Sequence, residues 1–324
     1  MARKPQPAPF DGALVTDKPR GKTSHDVVEA VRRLAGFRQI GHLGTLDPLA
    51  TGVLVLLLGR ATRLAQFYAG RRKRYACTIR FGFATDTYDA DGTALVPDTA
   101  PALDPAEIAG LAARFVGRFS QVPPPFSAKK VHGRPAHEFA RKKKPVELKP
   151  VEVEVYEFRL TQVEGSLARF VIECAPGTYI RSLAQEMGAR LGCGAHLAEI
   201  VRTAVGEFTF DQAVKLEELE EAAKNGRLAE WVLPLERLLP DLPRVTVLPV
   251  VERRVRHGTQ FNVQVAHIQP GRVSAAQGAP AELDSGDWRP ARLRVFNQQE
   301  KLIAIAEAIV PRTYQPVVVL AAEP

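Results

Sequence analysis

The period of apolar positions changes several times along the chain, and each change marks an element. Ala13-Leu14-Val15-Thr16-Asp17 reads as a short strand, and Lys18 to Lys22, with Pro19 and Gly21, as a turn-rich loop. Val27, Val28, Val31, Leu34 and Ala35 then recur at helical spacing behind Thr23 or Ser24 as the cap. Gly41 to Gly52 reads as a loop, Val53–Leu58 as a buried strand and Tyr75–Phe83 as another strand. Asp104-Pro105-Ala106-Glu107 starts a helix, with a capping Asp, a Pro at the first position and a Glu able to bond back. Val151, Val153, Val155 and Phe158 alternate with Glu152, Glu154 and Glu157, the pattern of a half-buried strand, and Ala168–Cys174 pairs with it through a turn near Gly165. Ile180, Leu183, Ala184, Met187 and Leu191 describe an amphipathic helix closed by the turn Gly192-Cys193-Gly194. An acidic helix at Glu217–Glu221 follows. After the Pro-spaced stretch 234–243, short apolar strands alternate with Gly and Pro turns, ending in Arg292–Ala306.

With 324 residues the chain is long enough for two domains. The composition shift predicts a loose tail over 1–11, a main domain over 12–243 and a small β-rich domain over 244–324. Within the main domain, residues 121–150 carry six prolines among many cations and read as an extended insertion. Hydrophobic residues are 45% and charged residues 25%, which excludes wholesale disorder. The longest aliphatic run, Val53–Leu58, is far below the ~18 residues of a membrane span, and no apolar stretch follows the charges at the start. Cys77, Cys174 and Cys193 are far apart and form no Cys-x-x-Cys, so a cytoplasmic protein with reduced thiols is expected.

Formal net charge is +8, and its distribution narrows the choice of partner. Residues 60–80 hold Arg60, Arg63, Arg71, Arg72, Lys73, Arg74 and Arg80 and no acid. Residues 129–149 hold Lys129, Lys130, Arg134, Arg141, Lys142, Lys143, Lys144 and Lys149 against two acids. Two separate basic clusters fit a long anion such as folded RNA better than one small phosphate.

Familiar motifs fail when tested. Gly21-Lys22-Thr23 sits between a strand and a helix, but Thr16 occupies the position where a phosphate-binding loop needs its first Gly. Asp86, Asp89, Asp91 and Gly92 echo a calcium loop that would begin at Thr87 and end at Asp98, neither of which suits it. His132, His137 and His196 form no ligand set. The sequence thus carries no credible metal or nucleotide motif.

The most unusual segment is Gly41-His42-Leu43-Gly44-Thr45-Leu46-Asp47-Pro48-Leu49-Ala50-Thr51-Gly52. Its small residues let backbone approach a ligand, Leu46 and Leu49 pin it to a core, and Pro48 stiffens the chain after Asp47. An Asp-Pro pair alone is an ordinary turn signal. The whole segment, however, resembles the signature loop of the TruB family, the bacterial tRNA pseudouridine-55 synthases. Further motifs follow in that family's order: Lys18-Pro19 with Gly21-Lys22-Thr23-Ser24, Lys73-Arg74-Tyr75, and Thr85 to Gly92. Pro124 to Lys130 opens a thumb-like insertion, and Gly177 to Leu183 and Gly192 to Leu197 complete the series. The resemblance covers about residues 12–210; beyond that it is loose.

The resemblance implies an α+β fold: a mixed, largely antiparallel sheet with packed helices, the pseudouridine synthase fold, plus a small β-barrel-like PUA-type C-terminal domain. It implies isomerisation of uridine-55 in the tRNA T-loop to its C-glycoside, without metal or cofactor. Asp47 is then the essential carboxylate, either a nucleophile toward the ribose or base or a stabiliser of cationic sugar. Tyr75 would stack under the uracil and serve the proton transfer, and Arg181 would pair with Asp47 and fix its rotamer. His42 would fill the space a flipped base vacates, and Tyr179 would pack against that base. Lys18 and Asp89 would support the pocket, with Lys18 also open to a role as a phosphate contact. Lys129 and Lys130 would meet RNA at the start of the insertion. The insertion would clamp the T-arm, Arg60–Arg74 would follow the RNA backbone, and the C-terminal domain would reach toward the acceptor stem. No membrane, guide RNA or obligatory protein partner is implied. Two alternatives stay open: an RNA-guided synthase of the archaeal and eukaryotic type, and a non-catalytic RNA-binding or RNA-folding protein.

Overall fold

The computed structural model describes residues 9–127, 130–131, 134–135, 148–272 and 290–320, with backbone alone at 130–131, 134–135 and 265. Most of the expected tail and insertion, Lys129 and Lys142–Lys144 lie outside the described residues, as does the side chain of Lys130.

The main body opens with β1 (Gly12–Lys18), α1 (Ser24–Ala35), β2 (Ile40–His42), β3 (Thr51–Leu58) and β4 (Lys73–Phe81). It continues with α2 (Pro105–Ala113), β5 (Gly117–Gln121), β6 (Val151–Glu164), β7 (Leu167–Cys174) and α3 (Ile180–Arg190). β8 (Ala195–Val205), β9 (Val214–Lys215) and α4 (Leu216–Lys224) close it. The sheet runs β9-β1-β3-β8-β4-β7-β6-β5, with β2 added on β3. Its neighbours are antiparallel except β1 with β9 and β3 with β8. This is the mixed, largely antiparallel sheet expected from the sequence.

Local chemistry explains where the elements start. Thr23 caps α1 by accepting from the Asp26 N–H at 3.1 Å, while the Asp26 carboxylate accepts from the Thr23 N–H at 2.8 Å. The continuous aliphatic run of β3 follows from its central place. Leu54, Leu56 and Leu58 point into one core with α1 and α3, whereas Val53, Val55 and Leu57 point into a second core. That second core also contains Phe296, Leu302, Ile305 and Val318, so it joins the main sheet to the C-terminal part.

The C-terminal part contains β10 (Arg244–Thr246), α5 (Pro249–Arg256), β11 (Phe261–Asn262), β12 (Ile268–Gln269), β13 (Arg292–Phe296), β14 (Leu302–Val310) and β15 (Thr313–Val319). Its six strands form a separate sheet in the order β11-β15-β14-β13-β10-β12. Helix α5 was not legible as a helix, because its apolar positions are few and Arg253, Arg254 and Arg256 crowd its last turn. Among the described residues, no helix is long and apolar enough to cross a membrane.

One expectation needs correction. The acid-free cluster at 60–80 is not a free cationic ridge, because acids and carbonyls distant in sequence meet it. Arg60 binds Asp11 and the Leu320 carbonyl, and Arg63 donates to the Val319 carbonyl. Arg71 pairs with Asp241 at 2.8 Å, Arg72 with Glu173 at 3.1 Å, Arg74 with Glu157 at 3.0 Å and Arg80 with Asp98 at 2.5 Å. Three of these residues, Arg60, Arg63 and Arg71, together with Tyr68, tie the rest of the main body to residues 239–241 and 319–320.

Candidate active site

The loop between β2 and β3 is held from several directions before its carboxylate is considered. The Ser24 hydroxyl, at the start of α1, receives the Leu46 N–H at 2.8 Å and donates to the Leu46 carbonyl at 3.2 Å. The Gly21 N–H donates to the Pro48 carbonyl at 2.8 Å. Lys18 is buried at the end of β1, where its ammonium donates to the carbonyls of Pro19, Lys22 and Pro48 at 2.9, 2.6 and 3.4 Å. Burial pushes that ammonium down to about 8, with Asp47 opposing the shift. All three Lys18 donors are thus engaged with backbone, so it braces two loops and is not a phosphate contact.

Arg202, on β8, is the member of the site that sequence reasoning missed. It is fully buried, and its guanidinium donates to the carbonyls of Val53, Thr45 and Gly44 at 2.8, 3.4 and 3.1 Å. Burial without a carboxylate partner pulls its pKa down. The register places Arg202 beside both Gly52 and Tyr75. Gly52 has φ +93°, and a Cβ there would overlap the Arg202 carbonyl oxygen, so only glycine allows this approach. A signal was present: Arg202 shares the inward-facing alternation of Ile200 along β8.

Asp47 stands on this braced loop with a half-exposed side chain. Arg181, one residue into α3, is almost wholly buried and places Nη2 2.8 Å from Asp47 Oδ2. Its Nη1 lies 3.4 Å from Asp89 Oδ2, and the guanidinium also donates to the Thr87 and Phe126 carbonyls at 3.2 and 2.8 Å. Asp89 is itself buried, which raises its pKa, while the Thr87 hydroxyl, Arg181 and the Asp91 N–H pull it back. The Asp89 loop is fixed to β8 by Leu197 N–H to Tyr88 carbonyl (3.0 Å) and Ala90 N–H to Leu197 carbonyl (2.9 Å), with Tyr88 at φ +66°. The start of α3 is fixed in turn by Gln121. Its side-chain amide accepts the Tyr179 N–H at 2.8 Å and donates to the Tyr179 carbonyl at 3.1 Å.

These elements enclose a cavity of about 240 Å³. Asp47, Asp89, Arg181, Tyr179, Tyr75 and Lys73 supply its polar wall; Leu46, Leu49, Ile180, Leu197 and Ile200 supply the apolar one. The Tyr75 hydroxyl is pushed up to about 12 by burial, although Arg202 alongside it pulls the other way. Burial likewise raises the Tyr179 hydroxyl. A carboxylate, a fixed guanidinium, two neutral phenols and an apolar wall can receive one planar polar ring and move protons around it.

The structure therefore brings Asp47, Tyr75, Asp89, Tyr179 and Arg181 together. It does not bring Lys18 or His42 to the cavity wall. His42 lies on β2 opposite Leu56, with a half-buried ring whose Nδ1 has no hydrogen-bond partner among the described residues and whose pKa burial lowers.

Comparison with known proteins shows the family. Residues 32–180 match the family model described as TruB family pseudouridylate synthase (N terminal domain), and residues 181–240 match tRNA pseudouridylate synthase B C-terminal domain. The chain is 44% identical to tRNA pseudouridine synthase B of Solibacter usitatus, covering 96% of this chain and 100% of the relative. It is also 44% identical to the protein of that name from Aquifex aeolicus, covering 88% and 100%. The fold resembles a chain in the crystal structure of a Cbf5-Nop10-Gar1 complex, with TM-score 0.69, 22% identity and coverage of 98% and 92%. The two family models and sequence identity of this extent with the curated relatives lead to one conclusion: the chain belongs to the TruB family of tRNA pseudouridine synthases, which are isomerases.

Proposed function

We propose that the chain isomerises uridine-55 of the tRNA T-loop, flipping it into the cavity against Asp47. The observation that carries this is the half-exposed Asp47 carboxylate, gripped at 2.8 Å by Arg181 in the same cavity as Tyr75. In the reaction the bond from N1 to C1′ breaks and a bond from C5 to C1′ forms. The C5 proton leaves and N1 gains one, so no oxidant or reductant enters. Asp47 can attack the ribose or the base, or support cationic charge at the sugar; all three need it where it stands. Tyr75 keeps its proton at neutral pH, as its raised pKa dictates, and can stack on the ring and relay the C5 proton. Arg181 holds the carboxylate in one rotamer, and Asp89 holds Arg181. Tyr179 packs against the flipped ring. His42, at the mouth of the signature loop, fills the vacated stack.

In this reading residues 12–243 form the catalytic domain and 244–324 an accessory, PUA-like domain reaching toward the acceptor stem. The basic insertion at 121–150, with Lys129 and Lys130, grips the T-arm. The enzyme works in the cytoplasm on free tRNA, without guide RNA, protein partner or cofactor. The test uses unmodified tRNA transcript, the chain alone, and mapping of the product by position. Conversion at position 55, lost when cytidine replaces that uridine, is expected; conversion elsewhere or dependence on a guide RNA would overturn the assignment.

A further inference from the structure

Of the seven cations between residues 60 and 80, the six arginines have intramolecular partners. Lys73 is the exception: among the described residues its ammonium has no hydrogen bond and no ion pair. It is nevertheless half-buried, at the cavity wall two residues before Tyr75 on β4. Its Nζ rests against Gly44 of the signature loop; a Cβ at Gly44, where φ is +94°, would sit 2.8 Å from it. Glycine there leaves the ammonium its seat. The charge that acts on it most is another cation, Arg202, and both carboxylates of the cavity, Asp47 and Asp89, are paired with Arg181. A half-buried ammonium beside a buried guanidinium, with no anion of its own, is a costly arrangement unless an anion arrives.

We infer that Lys73 binds one of the two phosphodiesters flanking the flipped nucleotide. The phosphate is the group on an RNA strand that carries a full negative charge, and an ammonium meets it as a point charge without the planar fit an arginine needs. A base in the cavity necessarily leaves its two phosphates outside it, and Lys73 lines the cavity while remaining partly exposed. The role of anchoring the backbone, open to Lys18 on sequence, thus passes to Lys73, since Lys18 spends its donors on carbonyls.

The inference rests on the uridine-flipping function above, and its test is arranged to separate the two. T-arm stem-loop RNAs are made with a single uncharged methylphosphonate on either the 5′ or the 3′ side of the target uridine. With wild-type protein one of these substitutions should raise KM roughly tenfold, the scale of a lost charged hydrogen bond. Lys73→Met should raise KM as much on the unmodified RNA, lose nothing further on that methylphosphonate RNA, and change kcat much less. It should also lower the salt slope of RNA binding by about 0.7–0.9, one phosphate contact. Lys73→Arg should restore most of the slope. Additive losses at both positions, or an unchanged slope, would overturn the contact and favour a lysine facing the base. The methylphosphonate arm needs no variant, so a poorly folded Lys73→Met does not blunt it. The binding arm is repeated with Asp47→Asn, where catalysis plays no part; failure of the function would show in turnover alone.

Discussion

Two buried arginines meet the signature loop, and they grip different parts of it. Arg181, from α3, answers side chains: Asp47 at 2.8 Å and Asp89 at 3.4 Å. Arg202, from β8, answers mainly backbone, the carbonyls of Gly44, Thr45 and Val53, with the Tyr75 hydroxyl as its one side-chain partner among the described residues. One sets where a carboxylate points; the other sets where the loop that carries it lies. The difference teaches that positioning here has two layers. A backbone held by a neutral-acceptor clamp supports a side chain held by an ion pair, and neither layer can do the work of the other.

Substitutions can break that comparison. Arg181→Lys keeps a charge but cannot span both carboxylates. The account predicts a fall in kcat of about 10²–10³-fold, the scale of a lost preorganised donor, with a much smaller loss of folding stability. Steady-state kinetics with urea unfolding would check both. Arg202→Met leaves the buried Val53 carbonyl and the partly buried Gly44 and Thr45 carbonyls short of donors, so unfolding should become easier by about 2–4 kcal/mol, read as a lower urea midpoint. If Arg181→Lys proved the more unfolded of the two, the division of labour would be wrong. Gly52→Ala should cost about 1–3 kcal/mol through positive φ and contact with the Arg202 carbonyl, with calorimetry as the check.

The smallest expected effect concerns pH. Burial first, then Arg202, holds the Lys73 ammonium down to about 8, with Cys174 opposing; Tyr75 and Asp47 share its cavity. Lys73 is charged below that value and neutral above it. kcat/KM, which follows the free enzyme, should therefore fall by several-fold as pH rises through about 8. Lys73→Arg, charged throughout, should flatten that limb in a pH–rate profile. A limb unchanged in the variant would assign it to another group.

Much of this site was legible in the chain. The signature loop announces itself by glycines around an Asp-Pro, and Tyr75 and Arg181 come with motifs in fixed order. What stayed hidden has a common physical cause. Charges were judged by their sequence neighbours, whereas folding supplies partners from far away: Asp241 for Arg71, Glu173 for Arg72, Glu157 for Arg74. The same blindness left Lys18, read as a support of the pocket, also open to a phosphate contact when its donors were destined for Pro19, Lys22 and Pro48. Arg202 was overlooked because backbone carbonyls, most of its partners, leave no trace in residue identity. Helix α5 was missed because Val251 and Val255 alone mark its inner face.

The central claim is that the Asp47 carboxylate reacts with, or directly stabilises, the uridine it meets. The most direct measurement uses tRNA labelled with tritium at uridine C5, followed for release of tritium to water, beside RNA binding, with wild-type and Asp47→Asn protein. Wild type should release the label in step with product, and Asp47→Asn should bind tRNA nearly as well yet release label at least about 10³-fold more slowly. Release by Asp47→Asn at a rate near that of wild type would contradict the account.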